Sequence, residues 1–113
     1  MARVKRFLGQ NLYEISGGSI KQFCGPTLYQ IDGNKVKHFC GPAVYQIDGD
    51  SIRAFCGPTL LQLDRNRIKR FCGPYIAQID GNRIKEFCGP YLYEFDGPLS
   101  HMELMALIAI LFA

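Results

Sequence analysis

The chain has 113 residues, of which 48% are hydrophobic and 20% are charged, and its formal net charge is +3. This length suits one domain with a core of modest size. The 13 basic and 10 acidic residues nearly balance, so charge alone does not indicate a nucleic-acid partner. The N-terminal stretch MARVKRFLGQ lacks an apolar run of signal-peptide length, and we therefore expect a cytoplasmic protein.

A sixteen-residue repeat occupies most of the chain and indicates recent duplication or consensus design. Its units begin at Phe7, Phe23, Phe39, Phe55, Phe71 and Phe87. The first unit has Leu8 where the others have Cys, and the last unit leaves the pattern at PLSHMELMALIAILFA. We predict a β-hairpin repeat domain at 1–98 and an apolar C-terminal helix at 99–113.

Each unit divides into two halves of eight residues, the size of a short strand plus a tight turn. The turns are of two kinds, Gly33-Asn34 and Gly25-Pro26 with their copies. Both begin with Gly, which predicts two-residue type II′ hairpin turns. At Arg65 an arginine replaces the glycine, so we expect strain or a different turn there. The pattern predicts twelve antiparallel strands between Val4 and Asp96.

These turns would place Ile31 opposite Val36 on one face of the sheet and Phe39 opposite Val44 on the other face. Each face would then carry an apolar band over half its width. Either a bulge in mid-strand turns both bands inward, or another chain covers the second band. A row of six Phe residues is too large a patch to leave in water.

The tail predicts a buried helix. Ser100 and Glu103 have capping-box spacing, and the residues from Met102 onward are apolar on nearly every side. The helix would span ~20 Å, less than the ~30 Å hydrocarbon core of a membrane. Because six-residue strands have a similar length, we predict an all-β fold, a twelve-strand antiparallel meander rolled or closed as a barrel around the helix. The alternative is a β-solenoid capped by the helix.

Twelve antiparallel strands followed by an apolar helix, with YQIDG hairpins at 29–33 and 45–49, resemble the tubby-like barrel shared with the LURP-one-related proteins. The resemblance concerns the order of elements, and no signature motif of that family aligns with this chain. It implies a closed barrel around a helix and a function at lipid surfaces. It assigns no functional residue.

The five cysteines, Cys24, Cys40, Cys56, Cys72 and Cys88, occupy one repeat position. In a meander, equivalent positions lie two strands apart, ~9.6 Å, which is too far for a shared zinc ion or a disulfide bond. We therefore interpret each cysteine as a small apolar residue beside a turn. In a solenoid the cysteines would stack ~4.8 Å apart, and cross-linking would be conceivable.

A basic row recurs opposite polar residues across the hairpins. It consists of Lys5, Lys21, Lys37, Arg53, Lys69 and Lys85, and it faces Glu14, Gln30, Gln46, Gln62, Gln78 and Glu94. Either the row is a solvated ladder of cross-strand pairs, or it is a basic face for phosphates. The cations Arg65, Arg67, Lys69 and Arg70 are the densest group and are a candidate anion site.

The remaining recurrent residues favour structural roles. Tyr at positions 13, 29, 45 and 93 alternates with Leu61 and Ala77, which indicates packing. The repeated Asp beside each turn is typical of turn chemistry, and His38 and His101 have no partner pattern. We find no catalytic motif and predict neither an enzyme nor a cofactor or metal site.

The leading functional prediction is a non-catalytic structural or protein-interaction module that self-associates. The candidate self-association residues are Phe23, Phe39, Phe55, Phe71 and Phe87. The alternative is a peripheral binder of anionic lipid headgroups or nucleic acid through the basic row. The expected partners are a second copy or another protein, and no small-molecule substrate is predicted.

Overall fold

The computed structural model describes residues 2–112, which form twelve β-strands and one α-helix. The elements in chain order are β1 Ala2–Arg6, β2 Asn11–Ser16, β3 Ser19–Gln22, β4 Thr27–Asp32, β5 Lys35–His38, β6 Ala43–Asp48, β7 Ser51–Ala54, β8 Thr59–Asp64, β9 Arg67–Arg70, β10 Tyr75–Asp80, β11 Arg83–Glu86, β12 Tyr91–Asp96 and α1 His101–Phe112. Each strand pairs with its neighbour in the chain, and β1 pairs antiparallel with β12, so the sheet is a closed barrel. The predicted barrel is confirmed, and the solenoid alternative is wrong.

One end of the barrel carries the tight turns predicted from the sequence, and we call it the glycine rim. Its turns are 17–18, 33–34, 49–50, 65–66 and 81–82. Ile31 faces Val36 and Asp32 faces Lys35, as the two-residue turn requires. Gly33 has a φ of +63°, the conformation that the first central residue of a type II′ turn needs. Arg65 keeps the same turn with a φ of +62°, which a side chain disfavours, so the expected strain lies there.

The other end, which we call the phenylalanine rim, has four-residue loops rather than the predicted Gly-Pro turns. Its loops are 7–10, 23–26, 39–42, 55–58, 71–74 and 87–90. Positive φ falls on Cys40, at +56°, and not on Gly41. The Gly41 amide donates to the carbonyl of His38, at 2.9 Å, which closes a turn centred on Phe39 and Cys40. Gly41 is needed for a different reason, because a Cβ there would lie 3.1 Å from the Cβ of His38.

A β-bulge in every second strand corrects the predicted pairing beyond these loops. Val36 faces Tyr45 and Lys37 faces Ala43, so Val44 is the extra residue, and the predicted pair Phe39–Val44 is wrong. The same shift recurs in all six strand pairs that meet at this rim. The carbonyl of each extra residue accepts a hydrogen bond from the amide of the loop Phe, at 3.0–3.2 Å. The bulge therefore fixes the backbone position of each Phe.

The barrel interior is filled by inward-facing side chains of the strands and by the helix. A ring of six aliphatic residues spaced sixteen positions apart is the most deeply buried part of the wall, each no more than 1% exposed: Val4, Ile20, Val36, Ile52, Ile68 and Ile84. In α1 the five consecutive residues from Met105 to Ala109 are all buried. A helix that buries consecutive residues is enclosed on every side. The predicted position of the helix inside the barrel is thus confirmed; Ala113, its predicted last residue, lies outside the described residues.

The helix begins at the glycine rim and ends towards the phenylalanine rim. Ser100 Oγ accepts the Glu103 amide at 3.2 Å, and the Glu103 carboxylate accepts the Ser100 amide at 3.0 Å, so the predicted capping box is present. His101 Nε2 lies 3.1 Å from the carbonyl oxygen of Gly49, and the Phe112 ring meets the ring of Tyr93 edge-on. Twelve residues span about 18 Å, close to the 17 Å short dimension of the molecule. Within residues 2–112 no helix is long and apolar enough to cross a bilayer.

Candidate functional site

The loop phenylalanines form a ring on the outside of the phenylalanine rim, and part of this ring is open to solvent. Phe39 is 50% exposed, Phe55 41%, Phe71 49% and Phe87 36%. Phe7 and Phe23 are half-buried. Of the predicted self-association residues, the structure therefore exposes four and partly covers Phe23. Phe39, Phe55 and Phe71 belong to three successive loops of this rim, and we call these three residues the open arc.

For five of the six loop Phe residues, the exposure of the ring depends on the residue twenty positions earlier in the chain. Arg3 lies 6.0 Å from the ring centre of Phe23, and Lys35 lies 5.4 Å from that of Phe55. Such distances allow cation–π attraction. The equivalent residues for Phe39 and Phe71 are Ser19 and Ser51, and these two rings are the most exposed. Sequence reasoning missed this pattern because the two residues become neighbours only when three successive strands pair side by side.

Two tyrosines strengthen the cover at the opposite side of the ring. Tyr75 packs on Phe87 with ring centres 5.1 Å apart, and Arg67 lies 5.8 Å from the ring centre of Phe87. Tyr91 packs on Phe7 at 5.0 Å, beneath Arg83 at 5.3 Å. At the open arc, the repeat position of Tyr75 and Tyr91 is occupied by Thr27, Ala43 and Thr59. The ring is thus asymmetric, with aromatic and cationic cover on one side and small residues on the other.

The basic row lies on the outer wall in the predicted register. Lys21 faces Glu14 and Lys37 faces Gln30, and their equivalents pair in the same way around the barrel. At the β1–β12 closure Lys5 Nζ lies 3.4 Å from the Glu94 carboxylate, which also accepts a 3.1 Å hydrogen bond from Arg83 Nε. The Arg83 hydrogen bond is the main cause that lowers the pKa of Glu94 below its usual value. A ladder of cross-strand pairs therefore describes this row.

The candidate anion site is only partly assembled. Arg65 and Arg67 line a pocket of about 270 Å³, together with Asn66 and the carboxylate of Asp64. Lys69 faces Gln62 further along the wall. Arg70 ends β9 at the phenylalanine rim, ~10 Å along the strand from Arg67. The structure brings together two of the four predicted cations, and an acidic group lies beside them.

The cysteines lie in the loops of the phenylalanine rim and face solvent. All five are exposed and free, and each has a φ between +55° and +59°. The sequence predicted a small apolar residue beside a turn, and the structure places each Cys within the turn of its loop, open to solvent. Leu8, at the same position in the first unit, is 85% exposed with a φ of +58°. The loop conformation therefore does not require a thiol.

The tyrosine position serves packing, as predicted. Tyr13, Tyr29 and Tyr45 pack against the core inside the barrel, and the smaller Leu61 and Ala77 at this position are buried. Burial raises the pKa of Tyr13 and Tyr45 above the usual value, with smaller contributions from neighbouring tyrosines. His38 stacks on Tyr29, with ring centres 5.3 Å apart, and His101 meets the glycine rim. Both histidines thus have structural neighbours.

Within residues 2–112, no group of three or more His, Cys, Asp or Glu side chains is placed to hold a metal ion. The fold and this surface define a class, a closed repeat barrel that encloses its own C-terminal helix and exposes an aromatic ring at one rim. Comparisons of the chain with family models, curated proteins and solved structures found no match. The resemblance to the tubby-like barrel stays a prediction.

Proposed function

We propose that the protein is a non-catalytic interaction module that self-associates through the open arc. The observation that carries the proposal is the exposure of Phe39, Phe55 and Phe71 on one side of a barrel whose interior is already filled. Large exposed aromatic side chains that recur along one side of a soluble protein mark interaction surfaces. The proposed module acts in the cytoplasm, where its thiols stay reduced.

The symmetry of the open arc favours a second copy as the partner. Phe55 lies in the middle, with Phe39 and Phe71 on either side at nearly equal exposure. A two-fold axis beside Phe55 places Phe39 of one copy on the same side as Phe71 of the other. The same surface of each copy then forms both halves of the interface. The residues at the repeat position of Tyr75 beside these rings are the smaller Thr27, Ala43 and Thr59.

Light scattering on size-separated protein tests this proposal. We expect the wild-type chain to have twice its 12.8 kDa mass in reductant. This mass should persist in about 1 M salt, where the Debye length falls to about 3 Å, because apolar contacts are not screened. The triple variant F39S/F55S/F71S should be a folded monomer.

A matched control removes the same number of rings from the covered side. The variant F7S/F23S/F87S should melt at a lower temperature, because it loses ring and cation contacts, yet remain a dimer. A dimeric F39S/F55S/F71S protein would refute the open arc as the interface. A monomeric wild-type chain would refute self-association.

A second candidate function is peripheral binding to anionic surfaces through the basic row. The row lies outside, and Lys37 and Lys69 face the neutral Gln30 and Gln62 rather than carboxylates. Binding to vesicles containing anionic lipid should then weaken steeply with salt and fall in the K37Q/K69Q variant. Equal binding by both chains would exclude this candidate.

A further inference from the structure

Glutamine or glutamate recurs at one repeat position of the outer wall, each time between residues of the two neighbouring strands. The six residues are Glu14, Gln30, Gln46, Gln62, Gln78 and Glu94. Glu94 on β12 lies opposite Arg83 on β11 and Lys5 on β1. Its carboxylate is 3.1 Å from Arg83 Nε and 3.4 Å from Lys5 Nζ. An arginine and a lysine thus hold one carboxylate across three adjacent strands.

Glu14 repeats this arrangement on the other side of β1. It lies opposite Arg3 on β1 and Lys21 on β3. Its carboxylate is 3.6 Å from Arg3 Nε and 3.5 Å from Lys21 Nζ, and Glu14 is only 8% exposed. The outer wall therefore shows twice what an arginine and a lysine at these positions bind, which is an oxyanion.

A third arginine and lysine flank a neutral residue instead. Gln78 on β10 lies opposite Arg67 on β9 and Lys85 on β11. Among the described residues, neither Arg67 nor Lys85 forms an ion pair with a carboxylate. Asp64, which also lies opposite Arg67, accepts a 2.9 Å hydrogen bond from the Tyr75 hydroxyl. This position therefore has the two cations of the first two sites but a neutral amide in place of their carboxylate.

The other three glutamine positions differ from this one. Gln30 and Gln62 each have a serine on one neighbouring strand, so a single cation faces each of them. Gln46 lies between Lys35 and Arg53, but its Oε1 already accepts a 3.0 Å hydrogen bond from Arg53 Nη2. The site on β9, β10 and β11 is thus distinct from its equivalents around the barrel.

We propose that Arg67, Gln78 and Lys85 bind a phosphate monoester on the outer wall. The three side chains stand on adjacent strands ~4.8 Å apart, and a phosphate monoester offers three acceptor oxygens and a charge of about −2. The guanidinium and ammonium groups donate to two oxygens, and the Gln78 amide donates to the third. The site uses none of the open-arc residues and neither Lys37 nor Lys69, so it is tested apart from both proposed functions.

Nuclear magnetic resonance of the isotope-labelled chain, titrated with glycerol phosphate at neutral pH, tests the site. We expect the side-chain N–H signals of Arg67 and Gln78 to shift. Gln78→Glu should fold, because it recreates the arrangement at Glu94, and should weaken the affinity by about tenfold or more, because its carboxylate takes both cations. The matched control Gln30→Glu adds the same charge on β4 and should bind as the wild type does.

The reverse change gives a gain of binding as a second readout. Glu94→Gln removes the carboxylate between Arg83 and Lys5 and should create a second site, seen as a new shift of the Arg83 signal. Vesicles that contain phosphatidic acid distinguish the source of the phosphate. Binding to glycerol phosphate alone assigns a free ester, and binding to the vesicles as well assigns a lipid headgroup.

Three results would overturn the inference. They are an unshifted Arg67 signal in the wild type, equal affinities of Gln78→Glu and Gln30→Glu, and a folded Glu94→Gln chain with no second site. The F39S/F55S/F71S chain should bind glycerol phosphate as the wild type does. Failure of the phosphate site therefore leaves the light-scattering test of self-association untouched, and a monomeric wild-type chain leaves the phosphate site untouched.

Discussion

The two rims of the barrel are built by the same repeat, yet they use glycine and exposed side chains in different ways. At the glycine rim, Gly33 has positive φ, and a Cβ added there would meet nothing within 4 Å. At the phenylalanine rim the glycine has an ordinary φ and a crowded Cβ position, while Cys takes the positive φ. One rim is a set of minimal turns that receives the helix N-terminus, and the other rim displays rings and thiols.

The phenylalanine rim thus has longer loops, and each of its loops carries a non-glycine residue at positive φ. The bulge adds one residue to each even-numbered strand and gives the loop Phe a backbone partner on the outer wall. The conformation costs about 1 kcal/mol or more for each non-glycine residue at positive φ. Three changes to the chain test this difference between the two rims, from the largest expected effect on stability to the smallest.

The largest effect is expected when the helix that connects the two rims is removed. A chain that ends at Ser100 should aggregate and lose cooperative unfolding. Met105, Leu107 and Ile108 are fully buried, and truncating one buried side chain of this size already costs about 2–5 kcal/mol. Circular dichroism during heating and size-exclusion chromatography measure this.

A milder change at the same helix is the control. Ser100→Ala removes only the cap, should lower stability by about 1 kcal/mol and should leave the barrel folded. A soluble chain ending at Ser100 that unfolds cooperatively would show that the barrel does not depend on the helix.

An intermediate effect is expected from alanine at one glycine of each rim. Gly89→Ala should cost about 1–3 kcal/mol, because the new Cβ would lie 2.8 Å from the Cβ of Glu86. Gly81→Ala should cost about 1 kcal/mol, from its φ of +63° alone. Denaturant unfolding of both variants gives the two free energies.

A double-mutant cycle separates the two causes. Glu86→Gly removes the atom that the new Cβ meets, so it should make the cost of Gly89→Ala smaller and leave that of Gly81→Ala unchanged. Additive costs at Gly89 and Glu86 would contradict the steric explanation.

The smallest effect is expected at the turn 65–66, where Arg65 replaces the glycine of the other turns of the glycine rim. Arg65→Gly should stabilise the protein by about 0.5–1 kcal/mol, because relief of the positive φ exceeds the added chain entropy of glycine. Gly81→Arg, the reverse change in an equivalent turn, should destabilise it. Thermal unfolding measures both, and a Tm that falls on Arg65→Gly would refute strain at this turn.

The glycine rim could be predicted from the sequence because its determinants are local. A two-residue turn fixes which residues face each other, so the pairs Ile31–Val36 and Gln30–Lys37 follow from counting. The apolar tail and its cap indicated a buried helix for the same reason. Nothing beyond sixteen residues of sequence is needed for either inference.

The phenylalanine rim could not be predicted in the same way. Gly41-Pro42 has the sequence of a tight turn, and the crowding that assigns Gly41 another role is visible only in three dimensions. The cover of Phe55 by Lys35 joins residues twenty positions apart on three neighbouring strands. The contact between Arg83 and the Phe7 ring exists only because β12 pairs with β1. The exposure of each loop Phe therefore depends on which strands lie beside it.

The enclosed helix also sets the number of repeats. Barrel diameter grows roughly in proportion to strand number, so a seventh unit would widen the lumen by roughly one sixth. A single helix would no longer touch the wall all round, and the gap would weaken the packing around Leu107 and Ile108. One helix therefore fills a barrel of six units and would leave a gap in a barrel of seven.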